Sequence, residues 1–168
     1  AATLCIVLPL VLTSVLGRYA LFVVSDELRK DPAALHDFLE ENRIDVCDGT
    51  PSLFSLLCDH WIDHGLSTSV STFVLGGEAL HLDHLTRFFS RPGHRGACVF
   101  NAYGPTECCV DASLHRFDFG NHRDCVAPPI GRPLPHTAIS VRGRNGEALP
   151  PGIPGELWIG GAGVARGY

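Results

Sequence analysis

The chain has 168 residues, 45% of them hydrophobic, and a formal net charge of -5. That is enough apolar content to bury a core, as one domain or as part of a larger one, while an acidic balance with 18% charged residues excludes partners that need a basic stripe, nucleic acid and anionic membrane alike. Seven cysteines at 5, 47, 58, 98, 108, 109 and 125 form no C-x-x-C pair, which points to cytosolic thiols and a cytoplasmic protein rather than a disulfide framework or a zinc site.

The chain starts at Ala1 and contains no methionine, so it reads as a fragment or a processed product. Ala1 to Val24 is apolar but lacks a basic leader, and Arg18 interrupts it short of a membrane span. It predicts a buried helix leading into a strand at 20–24. Asp31-Pro32 supplies an N-cap and a proline at the first helical position, and Leu35, Phe38 and Leu39 then share one face. Further strands are expected at Ile44 to Cys47, Thr72 to Leu75 and Ala97 to Phe100, with helices from Pro51 to about His64, stopped by Gly65, and from about Asp83 to Ser90. This alternation predicts an α/β fold, a mainly parallel sheet flanked by helices, over residues 1–110. From 111 to 168 short strands such as Ala138 to Val141 and Glu156 to Ile159 lie between Pro- and Gly-rich turns, which predicts an antiparallel, barrel-like region.

Loops at the carboxyl ends of parallel strands are where such sheets bind ligands. Three segments qualify: Asp48-Gly49-Thr50, Gly76-Gly77-Glu78, and Asn101 to Glu107. The last is the richest. Tyr103 can stack on a base, Gly104-Pro105 turns the chain, Thr106 can donate to a phosphate oxygen, and Glu107 can hold Mg²⁺. By itself a Gly-Pro turn leaving a strand is more often structural than catalytic, and Gly76-Gly77 reads equally well as a simple strand-to-helix turn.

Three runs taken together go further: Asn101-Ala102-Tyr103-Gly104-Pro105-Thr106-Glu107, Leu75-Gly76-Gly77-Glu78-Ala79-Leu80, and Gly155-Glu156-Leu157-Trp158-Ile159-Gly160-Gly161-Ala162-Gly163-Val164-Ala165-Arg166-Gly167-Tyr168. In order and separation they resemble the adenylation domains of nonribosomal peptide synthetases, members of the AMP-forming acyl-adenylate superfamily. The likeness covers nearly the whole chain and is weakest at its start. It implies that residues 1–168 are an internal piece of the domain's large N-terminal part. It further implies an ATP-dependent ligase that makes an aminoacyl adenylate and loads it on the phosphopantetheine thiol of a carrier domain, beside a condensation domain.

By the same resemblance Asn101 meets the adenine edge, Tyr103 packs on its ring, and Gly76, Gly77, Ala102 and Gly104 line the nucleotide pocket. Thr106 touches the α-phosphate, Glu107 ligates Mg²⁺, and the closing glycine-rich run is architectural. The amino-acid pocket falls to Asp48, Val74, Gly76, Ala102, Val110 and Asp111, a lining similar to the family's arginine-selecting pattern. Two carboxylates facing one cavity repel each other, and a guanidinium satisfies both. Residue by residue the alternatives stay open: Asp48 as a cap for the helix starting near Pro51, Asp111 as a solvated strand residue. The family's phosphate loop and bridging lysine are expected outside this stretch, so the piece alone is expected to be inactive. The rival from the same superfamily is an acyl- or aryl-CoA ligase, and a third reading is an inert fragment.

His60-x-x-x-His64 and His81-x-x-His84 have spacings that can place two ligands on one helix face. A solvated face is the favoured reading of both.

Overall fold

The computed structural model describes residue 17 and residues 19–167. The helix expected over the first residues lies outside that range. Residues 20–24, expected as a strand, join no ladder among the described residues and run as irregular chain into a short 3₁₀ turn at Leu28–Lys30.

Helix α1 spans Pro32–Glu41, and Asp31 caps it by accepting from the Ala33 and Ala34 amides. Its other end closes tightly. Arg43 takes a left-handed φ of 51° so that the Ile44 amide can reach back to the Leu39 carbonyl at 3.0 Å. That closure consumes Ile44, and the first strand, β1, therefore begins later than expected, at Val46–Gly49. Helix α2, Pro51–Asp63, ends in the same way: Gly65 adopts a φ of 68° and the Leu66 amide bonds to the Trp61 carbonyl. Strand β2 is Thr72–Leu75, helix α3 is Leu82–Ser90, and strand β3 is Cys98–Tyr103. Strand β3 thus runs through Asn101, Ala102 and Tyr103, which the sequence had placed in the following loop.

Strands β1, β2 and β3 pair in parallel, with Asp48 beside Val74 and Val74 beside Phe100. Two antiparallel strands extend the sheet, β4 at Ser113–Phe117 and β5 at Arg132–Pro133, giving the order β1-β2-β3-β4-β5. The antiparallel region ends in a separate two-stranded ribbon, β6 at Thr137–Arg142 and β7 at Glu156–Gly161. No closed barrel forms among the described residues.

Side chains alternate across a pleated strand, so the register sorts them by face. Phe73, Leu75, Val99 and Phe117 join Leu35, Leu39, Phe54, Leu57, Trp61, Leu85, Phe88 and Phe89 in one core under the helices. Trp61 is fully buried, and its indole N–H donates to His36 Nδ1 at 3.1 Å. The opposite face carries Val46, Asp48, Val74, Phe100 and Ala102. No described helix covers it, and Val46 is 57% exposed there. No described helix is long and apolar enough to cross a membrane.

Candidate active site

Asp48, Val74 and Ala102 fall by register on the face of the sheet that no described helix covers. Gly76 continues that row. A Cβ placed on it would sit 3.4 Å from the Ala102 Cβ and 3.3 Å from the Ala102 carbonyl oxygen, so the turn is packed flush against β3. Asp48 does not cap α2. That role belongs to Thr50, whose hydroxyl accepts from the Leu53 amide at 3.3 Å.

Asp111 lies in the segment between the 3₁₀ turn Thr106–Cys108 and β4, half-buried rather than in a solvated strand. Its approach is unusual. Cys109 and Val110 both have positive φ, 57° and 74°, and the Asp111 amide bonds to the Cys109 carbonyl at 2.9 Å across Val110. A β-branched residue rarely holds this conformation, which carries a cost of about 1–3 kcal/mol that the surroundings must offset. Part of the constraint comes from Gly104. A side chain there would collide with the Val110 carbonyl and lie 2.7 Å from the Ala112 nitrogen, so only glycine lets the two segments run together.

The charge of Asp111 reaches Asp48. Asp48 keeps an exposed edge, yet its carboxyl is pushed up to about 6, first by desolvation and then by the charge of Asp111. Asp111 is itself raised by desolvation. A cation placed between them removes both penalties.

On the nucleotide side, Tyr103 ends β3 and is 37% exposed, and Gly77 turns with a φ of 80°. Thr106 and Glu107 are exposed, and their side chains make no hydrogen bond or ion pair to other described residues. The 3₁₀ turn that presents them is buttressed from the end of the chain. The Ala165 amide donates to the Glu107 carbonyl at 2.7 Å, and a Cβ on Gly163 would lie 3.6 Å from the Cys108 carbonyl oxygen. Asn101 belongs to the helix-side face beside Leu75, is 5% exposed, and spends its amide N–H on the Pro129 carbonyl at 2.9 Å. A cleft of about 580 Å³ beside the Gly76-Gly77 turn is walled by Pro51, Ser52, Ser55, Glu78, His81 and His84. Tyr103, Thr106 and Glu107 are not part of that wall.

No group of three metal-ligating side chains forms among the described residues. In the His60 pair, the His64 ring nitrogen Nδ1 bonds to the His60 carbonyl at 3.0 Å. Cys47, Cys58, Cys98, Cys108, Cys109 and Cys125 are all free thiols. Burial pushes the Cys47 and Cys58 thiols up to about 11 and about 12, so neither is a nucleophile at neutral pH.

Glycine turns, a free hydroxyl and a free carboxylate at the carboxyl edge of a parallel sheet are the layout of a nucleotide-handling α/β enzyme. The model of the AMP-binding enzyme family matches residues 4–168, and the chain belongs to that family. Its relatives are nonribosomal peptide synthetases. It is 36% identical to bacitracin synthase 1 of Bacillus licheniformis over 94% of this chain and 3% of that protein. With the AMB antimetabolite synthetase AmbE of Pseudomonas aeruginosa it shares 42% identity over 91% of this chain and 7% of that one. Among solved structures it superposes on PA1221, an NRPS protein containing adenylation and PCP domains, with a TM-score of 0.72 and 29% identity over 82% of this chain and 27% of the other. A four-domain nonribosomal peptide synthetase bound to AMP and glycine gives a TM-score of 0.69 and 33% identity over 87% of this chain and 10% of the other. The chain therefore spans a small part of the proteins it matches.

Proposed function

We propose that this chain is part of an adenylation domain that activates an amino acid with ATP for nonribosomal peptide synthesis, and that the amino acid is basic, arginine first. In this reading the amino-acid carboxylate attacks the α-phosphorus of ATP in line, an O–P bond forms, and pyrophosphate leaves. The thiolate of a carrier-bound phosphopantetheine then attacks the acyl carbon and AMP departs. Tyr103 stacks on the adenine while Gly76, Gly77, Ala102 and Gly104 let backbone lie close to it, and Asn101, expected at the adenine edge, instead holds the strand end that presents them through its bond to the Pro129 carbonyl. Thr106 donates to the α-phosphate. Glu107, an exposed carboxylate without a described partner, fits a hard cation, and a Mg²⁺ held there would neutralise phosphate charge. The rest of the catalysis is positioning and charge neutralisation.

Membership of the AMP-binding family and synthetase relatives along 91–94% of the chain support amino-acid activation. The solved relative that contains adenylation and PCP domains supports a carrier partner. For the substrate, the carrying observation is that both acids are raised by desolvation and that the charge of Asp111 adds to the rise of Asp48. The remaining lining, Val74, Gly76, Ala102 and Val110, is small and apolar, so the carboxylates set the preference.

Pyrophosphate exchange into ATP by a complete adenylation domain carrying this chain tests both parts. Arginine is expected to drive exchange best. Exchange with none of the amino acids would overturn the activation reading. Exchange driven far better by glutamine, glutamate or an aliphatic amino acid would overturn the basic substrate alone.

A further inference from the structure

The start of α2 is satisfied from far away in sequence. The first residues of a helix have amides with no partner inside it. Here Pro51 has no N–H to satisfy, the Leu53 amide goes to the Thr50 hydroxyl, and the Phe54 amide goes to the Thr50 carbonyl at 3.0 Å. The Ser52 amide remains, and it donates to Oε2 of Glu78 at 3.1 Å, from a residue 26 positions later. The Ser52 hydroxyl donates to the same oxygen. Glu78 directly follows the Gly76-Gly77 turn, and the left-handed φ of 80° at Gly77 turns the chain so that the carboxylate points back across the sheet edge. A second strut runs in parallel: the Gly76 amide donates to the Gly49 carbonyl at 3.1 Å.

We propose that Glu78 is a positioning residue for the nucleotide. Its carboxylate, held by the Ser52 amide and hydroxyl and by the positive end of α2, clamps the Gly76-Gly77 turn against the end of β1. The nucleotide pocket is thereby formed before the nucleotide arrives. Glu78 acts through the turn and makes no contact with ATP. Local sequence offers the turn no other anchor. Two adjacent glycines give it the greatest backbone freedom available, so something outside it must restrict that freedom. The inference rests on the nucleotide site proposed above.

The test uses a complete adenylation domain carrying this chain. Glu78→Ala removes the acceptor, whereas Glu78→Gln keeps an oxygen for both Ser52 donors. In amino-acid-dependent exchange the alanine variant is expected to raise the KM for ATP about fivefold to tenfold, the scale of a lost helix cap. The kcat should change little, the amino-acid KM, which Gly76 also shapes, should rise less than the ATP KM, and glutamine should restore most of the ATP KM. Hydrogen exchange read by mass spectrometry should speed up in peptides covering 50–53 and 75–79 and stay unchanged in β3. An unaltered ATP KM in the alanine variant would overturn the proposal. So would equal loss in every kinetic constant without rescue by glutamine, or unchanged protection at 50–53 and 75–79. If the wild-type domain exchanges with no amino acid, the activation reading fails by itself, and the hydrogen-exchange arm still decides whether Glu78 clamps the turn.

Discussion

At the scale of single residues, the proposed amino-acid site turns on two acids that are costly to charge. Asp48 is held up to about 6 by desolvation and by Asp111. A raised acid contributes stability below its ordinary value, and that contribution is lost as pH rises through about 6. Binding a guanidinium reverses the balance, because it favours the ionised form. Arginine activation is therefore expected to strengthen as pH rises from 5 towards 7, following ionisation of Asp48 near 6, while a neutral amino acid shows a flatter profile. Asp111→Asn should weaken arginine activation by about 2–3 kcal/mol, roughly 30- to 150-fold in kcat/KM. Leucine activation should not rise in compensation, since Asp48 still penalises an apolar side chain. Measuring kcat/KM for both amino acids in both proteins checks this, and an arginine loss under threefold would count against the paired acids. The residue types of this site were legible in the sequence, but parts of its geometry were not. Nothing local signals that Val110, a β-branched residue, takes a positive φ. Nor does it signal that Ser52 and Glu78, separated by 26 positions, share an oxygen.

At the scale of elements, the helices were readable because capping is a local code: Asp31-Pro32, Pro51 and Gly65 mark ends that the structure uses as such, although the cap before Pro51 is Thr50 and not Asp48. Strands were readable where an apolar run stands between turn signals, whether they pair on one side, like β1, β6 and β7, or on both, like β2 and β3. Ser113–Phe117 carries His115 and Arg116 on one edge of the parallel block and passes without a clear pattern, while the apolar 20–24 stretch finds no ladder among the described residues. The joints between elements depend on tertiary bonds that sequence does not announce. His94 is one of them. Its Nε2 accepts from the Thr68 amide at 3.1 Å and its Nδ1 donates to the Phe88 carbonyl at 3.0 Å, tying the end of α3 to the lead into β2. A protonated ring would lose the first bond. Burial lowers its pKa, with the Phe88 carbonyl opposing, Arg91 adding to the depression and Glu40 opposing again. A depressed histidine contributes stability that is present above the ordinary value of 6.5 and is lost as pH falls through the folded one. Urea unfolding of a complete domain should show a midpoint that drops as pH falls below 6.5, and His94→Gln should flatten that drop. Equal slopes in the two proteins would remove His94 as its cause.

At the scale of the whole molecule, the α/β class and the parallel order were legible, since alternation of strand and helix patterns leaves few ways to bury every apolar face. The barrel-like expectation was coarser than the outcome, because composition and turns predict antiparallel pairing but not closure. What stands in its place is the β6–β7 ribbon, paired to itself over six residue positions and to no other strand among the described residues. The outer row of β7 is thus an open template among the described residues, whereas β6 is engaged at its end, where the Leu149 amide donates to the Val141 carbonyl at 2.9 Å; Val141 and Trp158 add exposed apolar surface. A two-stranded ribbon is marginal in water and is stabilised by acquiring neighbours. Produced as residues 1–168 alone, the protein is expected to recruit those neighbours from other copies, sedimenting as concentration-dependent assemblies that a proline at Ile139 or Leu157 reduces. Monodisperse sedimentation at high concentration would show the edges to be silent. That open β7 edge makes the ribbon the place where the chain is most exposed to misassembly, so its fate in a cell depends on how soon the edge is covered.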